Sequence, residues 1–175
     1  MPAVRWRRAD HRPRVAARVT AVGVVEIRPG TRADRAFIED LGMRTIGDSV
    51  AAFREAPEAM LDLSYSRLME IVFGQSHVFL IAHEDGVRLG FVLMLDALTD
   101  EVTLTPQGFI AYMAVEPGRR RAGVGSALLG ATEDEARRRA LPYMALMVTE
   151  NNASARTLYD RAGYVTERRL LCKTL

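Results

Sequence analysis

In YMAVEPGRRRAGVGS, residues 112–126, an apolar segment is followed by a Glu-Pro-Gly turn, three arginines and two further glycines, and then an amphipathic segment begins. This order predicts a strand, a loop and then a helix. Gly123 and Gly125 carry no side chain, so a ligand can approach the backbone closely, and the first amide N–H groups of the helix are free to bind it. Such groups favour anions, phosphate above all. The arginines at 119–121 would each add about 1.5–3 kcal/mol to phosphate binding. A plain turn with solvated arginines fits the same residues, because short motifs are common by chance.

A second group of residues follows after one more predicted strand, in NASARTLYDRAGY at 152–164. Asn152 stands where a side chain caps a helix. Tyr159 lies on the amphipathic helix that follows, and taken alone it fits a core tyrosine with its hydroxyl at the surface.

Taken together, the two groups resemble one protein family. R-x-x-G-x-G from Arg120 to Gly125 opens a helix, and N-x-x-A-x-x-L-Y-x-x-x-G-Y from Asn152 to Tyr164 follows the next strand. This closely resembles the GNAT superfamily of acyl-CoA N-acyltransferases, whose first motif is Gln/Arg-x-x-Gly-x-Gly/Ala. The likeness extends over about residues 24–174. It implies an α/β (α+β) fold with a mixed, mostly antiparallel sheet of six to seven strands, flanked by about four helices.

The resemblance also implies how a co-substrate would bind. Acetyl-CoA or another acyl-CoA is expected, with no metal. Backbone amides of 121–126 would hold the pyrophosphate, with the arginine at 120 or 121 nearby. Main-chain groups of 113–115 would pair with the pantetheine arm like an added strand, and Asn152 would bind it from the opposite wall. The implied cofactor-binding residues are Met113, Ala114, Val115, Arg120, Arg121, Ala122, Gly123, Val124, Gly125, Ser126 and Asn152.

The implied reaction is N-acetylation of a primary amine by direct attack on the thioester, with Tyr159 as the general acid. A phenol has an ordinary pKa near ~10 and stays protonated at neutral pH. Phe109 and Met147 stand at the two positions where several relatives carry a glutamate that acts as the general base. No residue is assigned as the base; Glu70, His83, Asp96 and Glu150 are the alternatives, beside water or an amine that arrives neutral.

The acceptor would be an amine-bearing small molecule or a protein or peptide. Acidic residues are frequent in the segments that form the acceptor site in the resembled family, and they would attract a cationic amine. These residues are Glu39, Asp40, Asp48, Glu55, Glu58, Asp62, Glu70, Asp100 and Glu101. Solvated helix faces account for the same charges. The alternative function is a non-catalytic acyl-CoA-binding regulatory module of the same fold, which the missing glutamate favours.

Composition and charge limit the remaining classes. The chain has 175 residues with 24 basic and 22 acidic ones, and 49% are hydrophobic. Six arginines precede residue 23 against one aspartate, so the excess positive charge belongs to a tail at 1–22, expected to be disordered. Residues 23–175 are expected to form a single acyl-CoA N-acyltransferase domain. No nucleic-acid partner and no membrane span are expected. The single cysteine, Cys172, is expected to be a buried thiol and indicates the reducing cytoplasm. A homodimer is an open alternative.

The elements that must position these residues follow from periodicity and from turn residues. Strands are predicted at 24–28, 77–83, 88–95, 109–115 and 143–149, with one or two more in 164–174. Helices are predicted at about 32–46, from Pro57 to Gly74, at 125–139 and at 151–161. Asp85-Gly86 predicts a hairpin turn. The order indicates a sheet that is antiparallel early, with one strand–helix–strand crossover in the second half.

Overall fold

Five strands and four α-helices follow one another along residues 24–175, the part of the chain that this computed structural model describes. The strands are β1 (Glu26–Pro29), β2 (His77–Glu84), β3 (Val87–Thr99), β4 (Pro106–Val115) and β5 (Tyr143–Leu146). The α-helices are α1 (Arg35–Thr45), α2 (Glu58–Phe73), α3 (Val124–Arg138) and α4 (Ala153–Arg161). None of these helices is long and apolar enough to cross a lipid bilayer. The basic tail predicted at 1–22 lies outside the described residues.

The strands form one sheet in the order β1-β2-β3-β4-β5. Neighbours are antiparallel up to β4, and β5 then runs parallel to β4. A parallel neighbour needs a crossover connection, which α3 supplies. The hairpin between β2 and β3 turns at Asp85 and Gly86, whose φ angles are 50° and 78°. The predicted mixed, mostly antiparallel sheet with one crossover is therefore confirmed.

The sheet has five strands where six to seven were predicted. The segment after Tyr164 forms no strand, and Leu170 and Leu171 in it are 92% and 87% exposed. Its polar run, Thr166 to Arg169, breaks the period-two alternation that gives a strand one apolar face. Cys172 lies in the same segment and is exposed, so the prediction of a buried thiol was wrong.

Alternate residues of β3 build the two halves of the core. Phe91, Leu93 and Leu95 pack in a cluster with residues of α1 and α2. Val92 and Met94 belong to a second cluster with residues of α3. Successive side chains of a strand point to opposite faces, so the helices cover the sheet in two layers. The sheet, packed on both faces, therefore supports the loops at its edge.

One extra residue in β4 bends that strand. Leu93 pairs with Tyr112 and Met94 pairs with Ile110, so Ala111 has no partner across the ladder. A bulge of this kind increases local twist and redirects the strand. It lies directly after Ile110, where the pairing of β4 with β5 also ends. The two strands therefore separate beyond this point.

A buried aspartate fixes the connection between β1 and α1. The side chain of Asp34 is fully buried, and its carboxylate accepts hydrogen bonds from Arg28 at 2.8 Å and from Arg88 Nε at 2.6 Å. The Thr31 backbone N–H and hydroxyl also donate to it. Arg28 is the largest cause that holds the pKa of Asp34 well below its usual range, against the effect of burial. Asp34 is therefore a charged structural anchor.

Candidate active site

The pairing of β4 with β5 ends at Ile110 with Leu146, and the region beside β4 beyond this pair is called the cleft below. On its other side β4 stays bonded to β3, with Met113, Ala114 and Val115 opposite Val92, Phe91 and Gly90. The edge of residues 111–115 that faces the cleft has no strand partner within the described chain. Unpaired backbone N–H and C=O groups on such an edge are a template for an extended ligand.

The loop after β4 holds its three arginines in three different ways. Arg119 forms an ion pair with Glu84, and Arg120 forms one with Asp48 at 2.9 Å. Arg121 adopts a left-handed conformation, with φ of 66°, and is exposed. Within residues 24–175 no carboxylate lies within ion-pair distance of Arg121. Of the three, Arg121 therefore has the guanidinium most available to an anion.

The first turn of α3 presents free amide groups at the end of this loop. Gly123 is its N-cap, with φ of 85°, and no side chain caps the helix. The first bond of the helix runs from the Ala127 N–H to the Gly123 carbonyl at 3.0 Å. The amides of Val124, Gly125 and Ser126 precede that bond and point out of the helix end. They lie at the positive end of the helix dipole, which favours an anion.

Gly125 has a structural reason of its own. A Cβ atom built at this position would lie 3.3 Å from Leu158 Cδ2 of α4. The missing side chain therefore lets α4 pack tightly against the start of α3. At Gly123 the same construction meets nothing within 4 Å, so its left-handed φ is what requires glycine there. The sequence interpretation had assigned both glycines to close approach of a ligand.

The opposite wall of the cleft begins at Asn152, the N-cap of α4. Its Oδ1 accepts a hydrogen bond from the Ala155 N–H at 3.1 Å. Its Nδ2 donates to the backbone carbonyl of Asp48 at 3.4 Å. The cap role is thus filled, and the amide nitrogen has a second hydrogen for another acceptor.

Tyr159 is partly buried on α4 and packs against the cluster whose margin also contains Met113 and Leu146. Its ring centroid lies 5.7 Å from that of Tyr164. Burial raises the pKa of the Tyr159 phenol. The phenol therefore keeps its proton throughout the neutral range, as a proton donor must.

The segment 48–50 is bonded to the residues that follow β5, and sequence reasoning, which named Asp48 only as an acidic residue of the acceptor site, did not predict these contacts. Thr149 Oγ1 donates to the Ser49 carbonyl at 2.8 Å, and Asn151 Nδ2 donates to the Val50 carbonyl at 3.3 Å. With the bond from Asn152, three side chains after β5 hold three successive residues between α1 and α2. These partners are about a hundred residues apart in sequence, and no local pattern signals them.

The candidate bases do not converge on the cleft. Glu150 has a side chain that is 90% exposed and is paired with Arg156. Asp96 is paired with Arg139, and His83 lies beside Glu26 on the far strands. Glu70 is exposed on α2. Met147, which stands at one position of the family glutamate, is 82% exposed.

A groove between α3 and α4 continues from the free amides of α3. Its cavity volume is about 210 Å³. Its walls are formed by Ser126, Leu129, Gly130, Glu133, Leu158, Arg161 and Ala162. The groove thus lies beside the glycine loop and the start of α3.

A mixed sheet with a strand pair that separates and a glycine loop at a helix start is the arrangement that the two sequence motifs predicted. The family model of the acetyltransferase (GNAT) family matches residues 49–164. The chain therefore belongs to the GNAT acetyltransferase family, as its motifs predicted.

Known proteins resemble the chain to different extents. It is 32% identical over 124 residues to a mycothiol acetyltransferase of Kineococcus radiotolerans, and this match covers 70% of the chain and 39% of that protein. Among solved structures, a protein of Pyrococcus furiosus described as an acetyl transferase has a TM-score of 0.74 at 23% identity, covering 87% of this chain and all of the other. The structure of AAC(6')-Iy in complex with a bisubstrate analogue, CoA-S-monomethyl-acetylneamine, has a TM-score of 0.64 at 20% identity, covering 87% and 98%.

Proposed function

We propose that this protein is an N-acetyltransferase that moves an acetyl group from acetyl-CoA to a primary amine of a small molecule, a protein or a peptide. One observation carries the proposal. The unpaired edge of β4 at 113–115 leads through the glycine loop directly into the free amides of α3. Tyr159 of α4 packs against the same core cluster as Met113. A phosphate group, an extended chain of amides and a proton-accepting atom would each find a suitable partner there.

The cleft suits the parts of coenzyme A in order. The amides of 121–126 and the guanidinium of Arg121 would bind the pyrophosphate. Met113, Ala114 and Val115 would pair through their main chain with the amide groups of the pantetheine arm, in place of the strand that β5 does not supply. The second Nδ2 hydrogen of Asn152 would reach the same arm from the opposite wall. Acetyl-CoA supplies the activated thioester.

The chain's own groups then assist the transfer. A backbone N–H of 113–115 would donate to the thioester carbonyl oxygen as negative charge develops on it. The nitrogen of the amine forms the new bond to the carbonyl carbon and releases one proton to solvent, and the carbon–sulfur bond breaks. Tyr159 would give its hydroxyl proton to the departing sulfur and regain one from solvent. Burial raises the pKa of Tyr159, so the donor form stays populated at neutral pH.

We propose that the amine enters in its neutral form, or loses its proton to water. This follows from the positions of Glu150 and Asp96, which form ion pairs with Arg156 and Arg139. A reaction limited in this way becomes faster as pH rises towards the pKa of the amine, about 8 for an amino terminus and about 10 for an alkyl amine.

The experiment is a thiol-release assay with acetyl-CoA against polyamines, aminoglycosides and peptides with free amino termini. Release of coenzyme A that requires one of these amines, together with an acetylated product by mass spectrometry, supports the proposal. Two of the bases considered from the sequence, Glu150 and Asp96, are held in ion pairs with arginines, and this favours a second candidate, a regulatory module that binds acyl-CoA without turnover. Tight binding of acetyl-CoA with no turnover on any amine would replace the first function by the second.

A further inference from the structure

An ion pair between Asp48 and Arg120 connects two segments beside the cleft. Arg120 belongs to the phosphate-binding loop, and Asp48 belongs to the turn between α1 and α2. Arg120 Nη2 donates to Asp48 Oδ2 at 2.9 Å, and Arg120 Nε donates to the Val115 carbonyl at 3.4 Å. The loop that would receive a pyrophosphate is therefore bonded to the segment on the opposite side of the cleft.

Other bonds also hold Asp48 against this cleft. Its backbone carbonyl accepts the bond from Asn152, the predicted pantetheine ligand. The pKa of the Tyr112 phenol on β4 is raised to about 12, chiefly by burial, and the negative charge of Asp48 contributes to this rise. The Asp48 carboxylate thus lies near Tyr112 of β4 and in contact with the loop that follows this strand.

The neighbouring carboxylates are paired with arginines outside the phosphate-binding loop. Glu39 is paired with Arg35, and both Asp40 and Glu116 are paired with Arg44. Asp48 differs from them because its partner is a residue of the R-x-x-G-x-G motif. Binding of an anion by this loop would therefore act directly on the ion pair of Asp48 with Arg120.

The pair is easy to exchange. Its side chains are 43% and 52% exposed, and ion pairs at such positions contribute little to stability. A pyrophosphate carries more charge than one carboxylate and accepts several hydrogen bonds from a guanidinium. The pyrophosphate of bound coenzyme A would therefore compete successfully with Asp48 for the Arg120 guanidinium.

We propose that acyl-CoA draws the Arg120 guanidinium away from Asp48 and thereby frees the Asp48 carboxylate to bind a cationic acceptor. This inference rests on the proposed function and names the acceptor as positively charged. The acceptor then binds well only after acyl-CoA, and by linkage it also tightens acyl-CoA binding.

The first test uses coenzyme A itself, so it needs no known acceptor. Calorimetric titration of the wild type, Asp48→Asn, Arg120→Gln and the double variant gives four dissociation constants. Asp48→Asn is expected to tighten coenzyme A about twofold to fivefold, because no ion pair has to break. In the Arg120→Gln background the same change is expected to have no effect. Asp134→Asn, which removes one negative charge from an exposed ion pair with Arg137 on α3, is the control and leaves the constant unchanged.

Two results would overturn the inference while leaving the proposed function intact. One is an Asp48→Asn protein that binds coenzyme A like the wild type. The other is tightening that persists when Arg120 is absent, since this would be a general charge effect. A wild-type protein that fails to bind coenzyme A would instead overturn the proposed function.

The second test uses the amine that the thiol-release assay identifies. Asp48→Asn is expected to raise its KM about tenfold or more, the loss of one charge-assisted hydrogen bond, with kcat little changed. Asp134→Asn is expected to leave KM unchanged. Equal KM values for the wild type and Asp48→Asn would show that Asp48 does not bind the acceptor.

Discussion

Ile110 and Leu146 are the last residues that pair between β4 and β5, and the candidate active site begins at the next residue. Ala111, the unpaired residue of the bulge, follows Ile110 directly. Because the bulge turns β4 while β5 ends, the backbone of 111–115 keeps a free edge towards the cleft. The geometry of the candidate site is therefore a consequence of one extra residue in one strand.

Gly125 is predicted to matter for stability through α4. Gly125→Val places new atoms against Leu158, 3.3 Å from the added Cβ, and is expected to lower the free energy of unfolding by about 1–3 kcal/mol. Gly130→Ala is the control, because a Cβ there meets nothing within 4 Å and alanine favours a helix by about 0.5–1 kcal/mol. Urea denaturation measures both. A Gly125→Val protein with the same free energy of unfolding as the wild type, or a higher one, would show that α4 does not pack on Gly125.

The buried carboxylate of Asp34 predicts a pH-dependent stability. Its pKa is depressed in the folded protein, so its contribution is present above the unfolded pKa of about 3.9 and is lost as pH falls below that value. Asp34→Asn is expected to cost about 3 kcal/mol at pH 7, because Arg28 and Arg88 lose their charged partner. At pH 3 the difference from the wild type is expected to shrink by about 1 kcal/mol. Urea denaturation at both pH values tests this, and a difference that is the same at pH 3 contradicts the charged state of Asp34.

Arg121 is predicted to bind phosphate more strongly than its neighbour Arg119. Arg121 is exposed and has no carboxylate partner within the described residues, whereas Arg119 is paired with Glu84. Arg121→Gln is expected to weaken coenzyme A about tenfold, and Arg119→Gln less than about threefold. Calorimetric titration in low salt gives both values. The reverse order would assign the pyrophosphate to Arg119.

Tyr159 is predicted to act on turnover and not on binding. Tyr159→Phe removes the proton donor and is expected to lower kcat about 100-fold, with the dissociation constant of acetyl-CoA changed less than about twofold. Tyr164→Phe removes the hydroxyl of the ring that neighbours Tyr159, and it is the matched control, expected to keep kcat within about threefold. Unchanged kcat in Tyr159→Phe would exclude it as the general acid.

Local sequence was sufficient for the elements up to Arg161 and for the loop. The turn at Asp85-Gly86 and the helix caps at Gly123 and Asn152 depend on residues within a few positions of one another. Such signals predict where strands and helices begin. The two-motif resemblance added the order in which these parts meet.

What the sequence left out depends on long-range contacts. The bonds from 149–152 to 48–50 join segments about a hundred residues apart, and only the folded sheet brings them together. The ion pair of Arg120 with Asp48 is of the same kind. The strands predicted after Tyr164 are wrong because that segment, although apolar in places, lacks a face that a sheet would bury.

Amide hydrogen exchange with and without coenzyme A tests the central claim most directly, because it reports where the ligand lies on the backbone. Exchange is expected to slow in peptides that cover 111–115 and 121–127, the free edge of β4 and the start of α3. Peptides that cover β1, at 26–29, are expected to exchange at the same rate in both states. Protection that appears elsewhere, with 111–115 unchanged under saturating coenzyme A, would contradict a cofactor site in the cleft between β4 and β5.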